Sequence, residues 1–213
     1  MCIRDSCYNG LREDCFNPTY FEAWKSGHTG YPMIDACMRF LTATGWLNFR
    51  MRALLISFSS QHLWLHWREP SVHLAGLFTD YEPGIHYSQT QMQSGTTGIN
   101  TIRIYNPIKQ GLDQDPTGTF VRQWVPELKD IDHDFIHTPW LSPNKPKGYP
   151  APIVDEKTSR QRASKMLYTV KGKPEHKEIA REVYVKHGSR KGKQTTKRTR
   201  ISTKNKLQGE LNF

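Results

Sequence analysis

The sequence predicts an all-α chain, and three observations carry that expectation. Apolar residues recur at helical spacing in successive stretches, no strand-like run is convincing, and no internal repeat is visible. Six tryptophans and an 11% aromatic share argue for a packed core over wholesale disorder.

Taken in order, Asn17-Pro18 reads as a helix start, with Phe21 and Trp24 on the helix and Gly27 closing it. Residues 29–52, TGYPMIDACMRFLTATGWLNFRMR, read as two amphipathic helices joined by a Thr-Gly-Trp corner. On the first, Met33, Ile34, Cys37, Met38 and Leu41 repeat at helical spacing, with Pro32 tolerated near the start. On the second, running to about Trp64, the stripe is Leu47, Met51, Leu54, Leu55 and Phe58. Arg50 and Arg52 lie off that stripe and, two residues apart, cannot share one partner. One can stay inside with an acid while the other faces a cleft, although two solvated arginines are the commoner arrangement for such spacing.

Residues 70–79 read as another helix, with Val72, Ala75 and Phe78 on one side. Residues 80–98, DYEPGIHYSQTQMQSGTTG, are polar and amide-rich, odd both as a core segment and as a linker. IRIYNPIKQG shows a short apolar alternation, after which Phe120, Val121, Trp124, Val125 and Leu128 return to helical spacing. Pro126 marks a kink or final turn there. Residues 142–152 are a proline-rich loop, and 155–168 the last ordered helix. The expected organisation is an N-terminal segment at 1–16, a helical domain at 17–168 and a disordered basic tail at 169–213. Met1–Ser6 is unlike the rest of the chain in pattern and reads as non-native, consistent with a truncated reading frame.

The net charge of +10 belongs to the tail: nine Lys and Arg and no acid fall in residues 186–206, and the rest nearly balances. Such a run binds polyanions or keeps a protein in solution. The four cysteines lack zinc-ligand spacing, and Cys37 on an apolar helix face is expected to be a buried free thiol. An intracellular, cytoplasmic protein is expected, since there is neither a disulfide framework, nor an 18-residue apolar run, nor a secretory leader.

Three segments suit one cavity: the Arg50/Arg52 helix, the acids at Asp80 and Glu82, and the polar run from His86 to Gln93. An Arg–Asp pair would give a charge-neutral floor, while His86, Gln89, Gln91 and Gln93 offer donors and acceptors to a heteroaromatic edge. A hydrated loop capping helices explains the same residues. Phosphate loops, HExxH and GxSxG motifs are all missing.

TGYPMIDACMR, GWLNFRMR, LHWRE, the DYE acids, RIYNPIKQ, DPTGTFVRQWVPEL and PAPIVD occur one after another in one order. In this the chain resembles the C-terminal half of the FAD-binding helical domain of the DNA photolyase/cryptochrome family, over about residues 17–162. The family's α/β antenna domain, its Ser/Thr-rich phosphate-contacting loop and a catalytic glutamate have no counterpart here.

The resemblance implies FAD as cofactor, held by Arg52, Asp80, Tyr81, Glu82 and His86, with Arg52 and Asp80 as a partly buried pair. Ungapped counting puts His86 opposite the flavin N5 atom, where a histidine can exchange a proton near neutral pH. Trp67 matches the electron-relay tryptophan of the WRE block, whereas the other two relay positions fall at Thr90 and Asp14. The DNA-facing set is Phe49, Arg50, Met92, Lys109 and Gln110; Phe49 stands where photolyases usually carry asparagine, and Met92 where an aromatic stacks on the lesion. The implied activity is light-driven repair of a flipped pyrimidine dimer in DNA by a monomeric parent. Two alternatives are a cryptochrome-like blue-light receptor without repair and a cofactor-free helical nucleic-acid binder.

Overall fold

Helix starts in this chain are built from capping side chains and prolines. In the computed structural model, which describes residues 8–97 and 99–187, α1 spans Pro18–Lys25, with Asn17 accepting from the Tyr20 N–H at 3.1 Å and Pro18 at the first helical position. Helix α2, Pro32–Thr44, ends at Gly45, whose φ of +71° is left-handed and whose N–H reaches the Leu41 carbonyl at 2.8 Å. A side chain at Gly45 would collide with Thr79, so this corner also lets the chain after α4 close up against it. Helix α3, Phe49–Ser57, is capped by Asn48 and opens into a π-helical turn at Phe58–His62. There follow α4 (Arg68–Leu77), α5 (Pro83–Gln93), α6 (Pro107–Gln114), α7 (Thr119–Trp124), α8 (Glu156–Gly172) and α9 (Pro174–His187).

The main core joins α2, α3 and α7: Ile34, Cys37, Met38, Leu41, Leu54, Leu55, Phe58, Val121, Val125 and Leu128 are fully or almost fully buried. Burial of each such aliphatic side chain contributes about 1.5–3 kcal/mol, and the stripes expected on α2 and α3 are the ones that face inward. A smaller cluster sets Tyr8 and Leu11 against Trp64, Ala163 and Leu167 of α8. Beside it the buried Arg12 donates to the Gln61 side chain at 2.9 Å and the Ser94 carbonyl at 3.1 Å, with its guanidinium 4.3 Å from the Trp64 ring centre.

Four expectations are corrected. The second helix does not run unbroken to Trp64: the π turn intervenes and Trp64 itself takes a φ of +58°. Residues 80–98 hold a helix, as does the NPIKQ stretch, each started by a capping side chain and a proline. Order extends past 168, because α8 reaches Gly172 and α9 follows, with Val183 buried. The chain already packs against the helices from Tyr8 onward, ahead of the boundary expected at residue 17. Kinking at Pro126 and the proline-rich loop are as expected. Met1–Ser6, Cys2, Cys7 and most of the basic run lie outside the described residues. Cys37 is a buried free thiol, and burial pushes its pKa well up. Among the described residues no helix is long and apolar enough to cross a membrane.

Candidate cofactor cavity

The first turn of α3 projects Arg52 away from the core, and three contacts hold it. Its Nε donates to the Leu47 carbonyl at 2.5 Å, its Nη2 meets Asp80 Oδ2 at 2.8 Å, and its guanidinium carbon lies 4.0 Å from the Phe78 ring centre. Asp80 is brought there by the corner: Thr79 N–H donates to the Gly45 carbonyl at 2.9 Å. The Arg52 hydrogen bond holds the Asp80 carboxyl below its usual range. Arg52 is about a quarter exposed and Asp80 half exposed, so the pair is partly buried.

Two residues on, Glu82 caps α5, accepting from the Gly84 N–H at 3.1 Å and the Ile85 N–H at 2.6 Å. Its carboxylate is thereby committed to the helix start. One turn further, His86 lies among Phe78, Tyr81 and Tyr87, with ring centres 5.3–5.9 Å away. Burial lowers its pKa and the Arg52 charge adds to that, against the opposing pull of a hydrogen bond to the Ser71 carbonyl.

These elements enclose a cavity of about 160 Å³. Its walls include Phe49, Arg52, Asp80, Tyr81, Glu82 and His86, so all five expected cofactor residues and one expected DNA residue converge. Gln89, Thr90, Gln93, Phe78, Ile85 and Leu74 complete much of the wall. Gln91 does not join them: it is fully buried on another face of α5. Gln89 Oε1 is buried without a hydrogen-bond partner, an acceptor left over for a ligand donor. An arginine, an acid, amides and an imidazole on apolar walls suit a planar heteroaromatic ring.

The sequence profile of the FAD binding domain of DNA photolyase matches residues 4–169. The chain belongs to the photolyase/cryptochrome family. It is 36% identical over 173 residues to a deoxyribodipyrimidine photo-lyase of Vibrio cholerae, which covers 79% of this chain and 37% of that protein. Cryptochrome-2 of Arabidopsis thaliana is 37% identical over 158 residues, 69% of this chain and 26% of its own. Among solved structures, the archaeal photolyase of Sulfolobus tokodaii, described with two FAD molecules, superposes with a TM-score of 0.72 at 37% identity, covering 79% of this chain and 38% of its own. The chain thus spans about a third of the length of the curated relatives it matches. The family match begins before Asn17 and takes in the packed Tyr8–Arg12 segment.

Within this family domain, the remaining residues expected to act lie off the cavity wall. Arg50 is exposed on α3, and Met92 is half-buried on α5. Lys109 is paired with Asp113 at 3.0 Å, and Gln110 is its neighbour on α6, which packs on α2. Trp67 is buried at the start of α4, its ring centre 6.4 Å from that of Tyr87. Of the two positions matched to the family's other relay tryptophans, Thr90 is on the cavity wall with its hydroxyl 3.0 Å from that of Ser71, and Asp14 is exposed. Phe78 escaped the sequence reading as a site residue; its only signal was its position just before the acids.

Proposed function

We propose that the cavity holds the isoalloxazine ring of FAD and that the chain is part of a light-driven DNA photolyase acting inside the cell. One observation carries this reading: Arg52, Asp80 and His86, picked out by three separate sequence blocks, line one cavity in a chain of the FAD-binding family. When bound, reduced FAD supplies the electron that splits a pyrimidine dimer. Arg52 and the Gln89 carbonyl oxygen orient the ring edge, and Asp80 fixes the Arg52 guanidinium. Phe78, Ile85 and Leu74 keep water from the ring faces. Phe49, 60% exposed on the cavity wall, offers an apolar face to a flipped base, with Arg50 beside it for a phosphate. Met92, Lys109 and Gln110 stand farther out as DNA contacts. Trp67, its ring centre 6.4 Å from that of Tyr87, serves as the electron-relay residue.

A cryptochrome-like receptor is the second reading, favoured by the hydroxyl of Thr90 in place of an indole and by Met92 lying off the wall. Loss of pyrimidine dimers from irradiated DNA under blue light, in the longest polypeptide containing this chain, decides between the two. In that polypeptide, Arg52→Ala is expected to weaken FAD binding by roughly tenfold to a hundredfold, the worth of a charged hydrogen bond. Because Asp80 is half exposed and Arg52 about a quarter exposed, the same change should cost only about 1 kcal/mol or less of stability. Flavin fluorescence titration beside thermal melting measures both, and unchanged FAD affinity removes the cavity assignment.

A further inference from the structure

Helix α8 turns a row of cations to the solvent with no acid beside them. From Lys157 to Pro174 the sequence has six Lys and Arg and no Asp or Glu; the acids Glu175, Glu178 and Glu182 all belong to α9. Ser159, Ala163 and Leu167 repeat at helical spacing and are buried, the last two in the cluster with Tyr8 and Trp64. The opposite side of the helix carries Lys157, Thr158, Gln161, Arg162, Lys165 and Thr169, all exposed. The two acids at the helix start are already engaged. Asp155, with Lys157 nearby, accepts from the Thr158 N–H at 2.9 Å and from its hydroxyl at 2.7 Å, and Glu156 holds Arg160 at 2.9 Å. Among the described residues no ion pair takes in Lys157, Arg162 or Lys165, whereas Lys109 on α6 is paired with Asp113.

This row stands apart from the cavity. Helix α8 packs on the π turn that follows α3, and Leu167 lies beside Gly95, just past the end of α5. Phe49 and Glu82, on the cavity wall, belong to the opposite ends of those two helices. Helix α9 packs on the same cluster as α8 through Ile179, and from Lys186 the sequence continues with nine Lys and Arg and no acid to residue 206.

We propose that the outer face of α8 is a second DNA-contacting surface, which holds the phosphate backbone of undamaged duplex DNA without reading its sequence. Duplex DNA as the partner rests on the photolyase reading above; the charges and their placement do not. Ammonium groups, hydroxyls and amides donate to phosphate oxygens and carry no information about the bases. From Lys157 to Lys165 the helix rises about 12 Å, the axial length of about three phosphates of one strand at about 3.4 Å each. An anionic lipid surface is the competing partner, and the packing of α8 argues against it. A helix lying in a membrane surface buries an apolar side opposite its cations in the lipid. Here that side, with Ala163 and Leu167, is already inside the protein. Contacts confined to phosphates let a protein slide and hop along a duplex, which shortens the search for a rare damaged base.

The test uses the longest polypeptide containing this chain and a fluorescent, undamaged DNA duplex titrated at several salt concentrations. In Lys157→Gln/Lys165→Gln the slope of log affinity against log salt is expected to shrink by about 1.8, at about 0.9 for each lost phosphate contact. Lys157→Arg/Lys165→Arg keeps both charges and should hold the wild-type slope. Both lysines are exposed, so thermal melting should not change in either variant. The same shrinkage should persist when residues 188–213 are deleted from wild type and variant alike, which assigns it to α8. A wild-type slope in the Gln variant overturns the inference, as does a shrinkage that vanishes with residues 188–213. Loss of binding to phosphatidylserine vesicles with the DNA slope intact also overturns it, in favour of a lipid partner. Dimer repair reads the other hypothesis separately: no repair by wild type, with the slope effect present, removes the photolyase reading and leaves the α8 surface standing.

Discussion

Asp35→Ala is expected to cost at least about 3 kcal/mol of folding stability, although the residue is absent from the cavity wall. The carboxylate is completely buried at the first turn of α2. It accepts from the Thr29 N–H at 2.8 Å, the Thr29 hydroxyl at 2.6 Å, the Gly30 N–H at 3.0 Å and the Tyr149 hydroxyl at 2.5 Å. Burial raises its pKa, and the four donors pull the other way. Truncation strands all four donors in the interior, each at about 1–3 kcal/mol before the loop relaxes. The same knot ties the distant 149–154 strap: Ile153 donates to the Thr29 carbonyl at 3.0 Å and the Tyr31 hydroxyl to the Val154 carbonyl at 2.7 Å. Gly30, at φ +80°, leans so closely on the Ala151 carbonyl that any side chain there would collide. Tyr149→Phe removes one partner and should cost only about 1 kcal/mol. Urea denaturation of the two variants side by side is the measurement, and equal midpoints would show that the carboxylate does not organise this loop.

The sequence betrayed most where apolar spacing and burial coincide. Helices α2 and α3 were legible because Met33, Ile34, Cys37, Met38, Leu47, Met51, Leu54 and Leu55 all face one core. Helix α5 was not legible, for the opposite reason. Its wall-side residues are His86, Gln89, Thr90 and Gln93, so a helix that lines a polar cavity shows no apolar stripe. The available signal was local: Glu82 before Pro83 is a cap followed by a proline at the first helical position. Asn106-Pro107 gave the same signal for α6, hidden by an apolar alternation just before it. Helix α9 was hidden by composition, since its basic residues look outward while Val183 and His176 turn in.

The site divided along a similar line. Arg52 and Asp80 were named as partners from motif blocks 28 residues apart, and the corner at Gly45 and Thr79 is what joins them. The hydrogen bonds that link His86 to Ser71 and Ser71 to Thr90 were beyond reach, because Ser71 and Thr90 belong to different helices and neither stands out alone. The π turn was equally hidden. A Leu63 N–H bonded to the Phe58 carbonyl at 3.1 Å widens the helix by one residue, and hydrophobic spacing does not register that change.

That π turn sets up the steepest pH response expected of the fold. His62 is completely buried there, its ring stacked on Phe58 with centres 5.2 Å apart, and neither ring nitrogen has a hydrogen-bond partner. Burial lowers its pKa from 6.5 to about 4, with the Arg160 charge adding to the effect. Glu156 lies 3.8 Å from Nε2, but with the ring neutral this is no ion pair, and Glu156 already holds Arg160 at 2.9 Å. In the unfolded chain the ring takes a proton near its ordinary pKa; in the folded chain it resists until about pH 4. The stabilisation is thus complete above the unfolded value and is lost progressively as pH falls through the folded one. At about 1.4 kcal/mol per pKa unit the loss is about 3 kcal/mol. His73, His86, His137 and His176 are shifted down by burial as well and add to the same acid slope. The loss bears on the cavity, because the neighbouring Gln61 amide holds the Ser94 carbonyl at 2.7 Å, just past the end of α5. Urea midpoints of wild type and His62→Leu, compared at pH values above and below the unfolded pKa, should show the variant losing much less stability on acidification. An acid slope unchanged in His62→Leu would assign the proton uptake to the other four histidines instead.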